Sequence, residues 1–230
     1  MKGGRLVLVA AAAFVLVAAG VAAAAILLVH GRSSAAPLVT IDAADPAVPA
    51  AVQSRLGLST LGRRPAPGLT LVDQRGRTVS LASLRGKVVV LEFFDPVCTD
   101  ICPIVSQEYV EANRLLGAAA RRAAFVAVNV NQYHRSVAAV AGFSRKHGLD
   151  GIPSWHFLTG PTVTLQKIWK AYGVAVQPNP SGDVVHSSLV YFIDAKGRER
   201  YLAMPDRNKK GIGAWAHGIA AVVRALAPAA

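Results

Sequence analysis

Between Lys87 and Cys102 the chain reads KVVVLEFF, then DPVCTDIC, then Pro103. The first eight residues form a continuous apolar run rich in β-branched side chains, the pattern of a strand buried on both faces. Pro103 stands where a helix opens, because the first turn of a helix has no use for the missing N–H. A central strand therefore ends in a short loop that carries both cysteines of the chain, and a helix follows directly. This order commits the domain to an α/β sheet with a crossover helix.

The flanking pattern agrees. Leu69–Val72 and Thr78–Leu81 read as a hairpin around Asp73-Gln74-Arg75-Gly76-Arg77. Helix is expected from Pro103 to about Arg122, strand over Ala123–Val130, and helix over Ser136–His147 with Ser136 as its cap. Strand Trp155–Leu158, helix Thr162–Tyr172, a hairpin of Ser188–Ile193 with Glu199–Ala203, and a last helix over about Gly213–Leu226 complete the order β β β α β α β α β β α. Alternating units closed by an antiparallel hairpin predict a mixed sheet with helices on both faces.

Ahead of this domain, Leu6 to Val29 is unbroken apolar sequence without charge or proline. As a helix, its roughly 24 residues would run about 36 Å, enough to cross a bilayer core of about 30 Å. It exceeds the apolar region of a cleaved signal peptide and reads as an uncleaved signal-anchor, residues 1–30. Lys2 and Arg5 before the span place the N-terminus in the cytoplasm, so the rest faces the extracytoplasmic side of the cell membrane. Residues 31–65 hold Pro37, Pro46, Pro49 and Pro65 among alanines and serines. They read as a tether with a short helix around Val48–Leu56, and residues 66–230 as the folded domain.

Composition narrows the function. Hydrophobic residues make up 53% of the chain and charged residues 17%, which excludes a disordered protein. Net charge is +12, yet the basic residues are scattered (Arg63, Arg64, Arg121, Arg122, Lys209, Lys210) without interleaved aromatics. They read as a solvated face near anionic lipid head groups; no nucleic-acid partner is expected. Two cysteines exclude a disulfide-rich scaffold and a four-cysteine zinc ribbon.

Cys98 and Cys102 sit at a helix N-terminus, whose free N–H groups and positive potential favour thiolate. Such a pair can exchange disulfides, bind a soft metal such as Cu(I), or form a static disulfide. In an oxidising compartment it must be oxidised, or be kept reduced by a metal or a reductase. Glu92, six residues before Cys98 on the buried strand, should have a raised pKa and could act as a general base near neutral pH.

Four segments together resemble the SCO/SenC copper proteins, which have a thioredoxin-like fold. They are GKVVVLEFF, Cys98-Thr99-Asp100-Ile101-Cys102-Pro103, WHFLTG at 155–160 and VVHSSLVYFIDAKG at 184–197. The resemblance covers residues 66–227. It implies copper held by Cys98, Cys102 and His186. It also implies copper delivery to, or thiol reduction at, the copper centre of cytochrome c oxidase, with an oxidase subunit or another copper protein and a thiol–disulfide reductase as partners. A copper-independent thiol–disulfide oxidoreductase is the alternative, supported by Glu92 and opposed by His186. Val128–Tyr133 departs from the acidic turn usual in the family. With only Met1 and Met204, no methionine-rich copper cluster is possible. His134, His147, His156 and His217 read as structural, and His30 as marking the membrane boundary.

Overall fold

The computed structural model describes residues 48–179, 181–182, 184–205 and 213–227. Elements in chain order are α1 (Ala50–Leu56), β1 (Ser59–Thr60), β2 (Thr70–Val72), β3 (Thr78–Ser80), β4 (Val88–Phe94), α2 (Ile101–Leu116), β5 (Ala123–Asn129), α3 (Val137–Lys146), β6 (Trp155–Leu158), α4 (Thr162–Ala171), β7 (Val176–Pro178), β8 (Val184–His186), β9 (Val190–Ile193), β10 (Glu199–Ala203) and α5 (Ala214–Leu226). Short 3₁₀ turns follow β3, α2 and α3.

The main sheet runs β1-β10-β9-β4-β5-β6. The expected buried strand, β4, is internal to it, parallel to β5 and antiparallel to β9. All seven of its residues are buried, and they alternate between two layers. Val88, Val90 and Phe94 point into the layer formed with α2, α3 and α5, which contains Tyr109, Phe143, Trp155 and Ile219. Val89, Leu91 and Phe93 point into the layer under α4 and the β2–β3 hairpin, with Leu71, Val79, Leu165 and Trp169. Double burial explains why the run shows no polar alternation, Glu92 excepted.

β6 ends the sheet, and its open edge is covered by a side chain. Gln74, in the β2–β3 turn, donates to the Trp155 carbonyl (3.1 Å) and accepts from the Phe157 N–H (2.8 Å). One amide thus stands in for a missing strand at the sheet end. Asp73 beside it is fully buried and accepts from the Arg75 and Arg77 N–H groups and from the Arg77 guanidinium.

Three expectations change. Helix α2 starts at Ile101, not Pro103, so Cys102 lies in its first turn; proline is tolerated there because none of the first-turn N–H groups has a partner within the helix. Its last part, Gly117–Arg122, tightens to 3₁₀ geometry. The packed domain also begins before residue 66. Val48 and Leu56 are buried in the main core, and β1 pairs with β10. Gly218 makes this packing possible: a Cβ there would lie 2.6 Å from Leu56. The expected spanning segment 6–29 and residues 31–47 of the expected tether lie outside the described residues. Among the described residues, no helix is long and apolar enough to cross a membrane.

The N-terminus of α5 is capped from another helix. Glu108 of α2 is buried and accepts from the Gly213 N–H (2.9 Å) and the Ala216 N–H (2.7 Å). A carboxylate at this end satisfies otherwise unpaired donors and complements the helix dipole. Glu108→Ala should lower unfolding free energy by about 1–3 kcal/mol, read by urea denaturation; a change below about 0.5 kcal/mol would show that the cap contributes nothing.

Candidate metal and thiol site

The cysteine loop leaves the end of β4 through Asp95. The Asp95 carboxylate accepts from the Val97 N–H (2.9 Å) and its carbonyl from the Cys98 N–H (3.1 Å). This aspartate turn folds the loop back before α2 begins. Both cysteines are free; Cys98 is partly exposed and Cys102 is buried.

Their chemistry is unequal. The Cys102 thiol donates to Cys98, and the backbone N–H groups of Cys102 and Asp100 add to it; together they overcome burial and bring the Cys98 thiol down to about 6. The same hydrogen bond to Cys98, with burial, pushes Cys102 far up. The pair shares one proton, held on the inner sulfur, with the charge on the outer one.

His186 ends β8, which pairs antiparallel with β7 in a two-stranded ribbon. Its Nδ1 lies 3.1 Å from the Ser187 carbonyl. A carbonyl only accepts, so Nδ1 carries the hydrogen and Nε2 keeps its lone pair. Burial lowers the His186 pKa and keeps the ring neutral. Cys98 and His186 line one open cleft of about 850 Å³, together with Asp95, His134, Gly182 and Met204. Cys102 lies behind Cys98 in the core. As placed, these residues do not close into a metal cluster: among the described residues, no three of the His, Cys, Asp and Glu side chains are grouped to hold an ion.

Glu92 occupies the β4 face that meets α2. It is buried, and Tyr109 Oη donates to its Oε2 at 2.5 Å. Burial, opposed by this bond, pushes its carboxyl up to about 8.

The remaining histidines divide. His156 Nδ1 meets buried Asp73 at 3.2 Å, and His147 packs on Phe143 with ring centroids 4.3 Å apart. His134, read from sequence as structural, instead lines the cleft, as does Met204. No spacing in the sequence joins either to the cysteines; the folded loops do. Asn131 was also missed as a site residue. It is buried and bonded to Asp95.

Residues 64–220 match the SCO1/SenC family. A SCO1 protein homolog of Bacillus subtilis is 25% identical over 134 residues, covering 56% of this chain and 68% of its own length. Among solved structures, Arabidopsis thaliana ScoI with copper bound superposes with a TM-score of 0.59 at 19% identity, over 69% of this chain and 98% of that one. BsSco, a member of the Sco family of cytochrome c oxidase assembly proteins in which a disulfide switch was identified, gives 0.55 at 20% identity, over 70% and 95%. The internal parallel strand, the cysteine loop at its end and the match over more than half of its length place this chain in the SCO1/SenC family, on the thioredoxin-like α/β fold.

Proposed function

We propose that this chain binds copper through Cys98, Cys102 and His186, and that it delivers copper to, or reduces the cysteines of, the copper centre of cytochrome c oxidase. The observation that carries the reading is the donor set. A thiol biased toward thiolate and a neutral imidazole with a free nitrogen line one cleft. Two soft sulfurs and one nitrogen suit copper: the thiolates favour Cu(I), and the imidazole serves both Cu(I) and Cu(II). Relatives with copper bound, and one named among oxidase assembly proteins, support the assignment. The apolar length of residues 6–29 supports a single-pass anchor that holds the domain on the extracytoplasmic side of the cell membrane. There the pair needs a thiol–disulfide reductase to regenerate its ligands.

The test is a copper titration of the reduced full chain. About one copper per chain is expected, abolished in Cys98→Ala and after oxidation to the Cys98–Cys102 disulfide, because a disulfide removes both thiolates. His186→Ala should weaken copper at least about tenfold, most for Cu(II), while leaving fold and disulfide intact. Unchanged Cu(I) and Cu(II) affinity in His186→Ala would overturn the ligand set.

A second reading, a thiol–disulfide oxidoreductase that needs no copper, is favoured by one observation: a buried carboxyl with its pKa near neutrality lies beneath the cysteine helix. Under it, Glu92→Gln slows thiol exchange near pH 7, whereas His186→Ala leaves exchange unchanged.

A further inference from the structure

Asn131 follows the end of β5, is fully buried, and has its N–H and both side-chain amide atoms engaged. Its N–H donates to Asn129 Oδ1 at 2.7 Å. Its Oδ1 accepts from the Tyr133 N–H (2.8 Å) and the His134 N–H (3.2 Å), which shapes the turn after β5. Its Nδ2 reaches in two directions: to both oxygens of Asp95, at 3.1 Å each, and to the Gly182 carbonyl at 3.0 Å. An amide has two donor hydrogens, and here one goes to each neighbour.

Those neighbours matter. Asp95 holds the Val97 and Cys98 N–H groups and so sets the cysteine loop. Gly182 lies in the β7–β8 connection, four residues before His186. One buried amide therefore joins the loop bearing Cys98 to the ribbon bearing His186. The platform beneath it is itself fixed: Asn129 Nδ2 donates to the His134 carbonyl and Thr159 Oγ1, and Trp169 Nε1 donates to the Asn129 carbonyl.

We infer that Asn131 is a positioning residue that sets the spacing between the cysteine loop and His186, and through it the copper affinity of the site. The inference rests on the copper reading above. Because Cys98 and His186 share a cleft without closing into a cluster with Cys102, whatever ties their two loops together decides how much reorganisation binding requires. Residues that orient ligands from behind typically change metal affinity about 10–100-fold when removed. Aspartate would not substitute: it has no hydrogen for the Gly182 carbonyl and would set a second carboxylate against Asp95 in a buried place.

The experiment is a double-mutant cycle on the reduced full chain. Cu(I) affinity is read by competition with a chelator in wild type, Asn131→Ala, His186→Ala and the double variant. Amide hydrogen exchange of Val184–His186 is read in the metal-free proteins. Asn131→Ala should weaken copper about 10–100-fold and speed ribbon exchange without copper. In the His186→Ala background it should cost less than about threefold, because no imidazole is left to position. Asn131→Asp keeps the oxygen that accepts from Tyr133 and His134, loses both donated bonds and sets a carboxylate against Asp95; it should act in the same direction, and it stands in if Asn131→Ala does not fold. Wild-type affinity in both Asn131 variants, equal losses in both backgrounds, or unchanged ribbon exchange would overturn the inference. A His186→Ala chain with undiminished affinity would instead overturn the copper ligand set, and the inference with it.

Discussion

Iodoacetamide should label Cys98 of the reduced, metal-free chain with a half-maximal rate near pH 6 and leave Cys102 unmodified until the protein is unfolded. The thiolate is the nucleophile, so the rate follows the ionised fraction. With the Cys98 thiol lowered to about 6 by the Cys102 hydrogen bond and the backbone N–H groups, about nine-tenths of it is ionised at pH 7, against about 1% for a thiol with a pKa of about 9. The labelling rate should rise through pH 6 and be level by about pH 8. Cys102 is 1% exposed and pushed in the opposite direction. Cys102→Ala removes the thiol donor, so the Cys98 midpoint should move up toward the ordinary thiol range. Peptide mass spectrometry over a pH series checks both points. Equal labelling of the two cysteines, or a wild-type midpoint near pH 8.5, would contradict this account of the pair.

Glu92→Gln should remove a pH dependence of stability worth a few kcal/mol, on the order of the several-unit pKa difference involved. Glu92 is pushed up to about 8 from an ordinary 4.5, with burial as the largest cause. A carboxyl raised on folding binds its proton more tightly in the native state. Its contribution is therefore full below about pH 4.5 and is lost as pH rises through about 8. Cys98, lowered on folding, works in the opposite direction as pH rises from about 6 to 9. The difference between wild type and Glu92→Gln reports chiefly the carboxyl, because Cys98 titrates in both and its charge adds only the smallest of the causes that shift Glu92. Glutamine keeps an oxygen for the Tyr109 hydroxyl, so the hydrogen bond survives. Urea unfolding at pH 5, 7 and 9 should show the variant gaining steadily on wild type. A constant difference across that range would mean that Glu92 does not titrate as its burial requires.

Much of this architecture was legible because burial leaves a mark on sequence. β4 and β5 show as apolar runs since both of their faces are covered. Ser136 showed as a cap, and its Oγ does accept from the Ala139 N–H. Elements held by tertiary contact left weaker marks. The helix α1 has seven residues and is anchored mainly by Leu56 against Gly218. The strands of the β7–β8 ribbon have three residues each, with little apolar alternation. At the site, the cysteines were visible from their spacing, and His186 from the resemblance that its surrounding segment carries. Asn131 was not visible: its partners Asp95 and Gly182 lie 36 and 51 residues away, and only the fold brings them together. His134 and Met204 were hidden for the same reason.

The central claim is that two sulfurs and one imidazole of this chain hold a single copper ion. X-ray absorption of the Cu(I)-loaded full chain counts those neighbours directly. The account predicts two sulfur scatterers and one nitrogen in wild type, with the nitrogen lost in His186→Ala and the sulfurs retained. A first shell without two sulfurs, or a nitrogen that persists unchanged in His186→Ala, would contradict it.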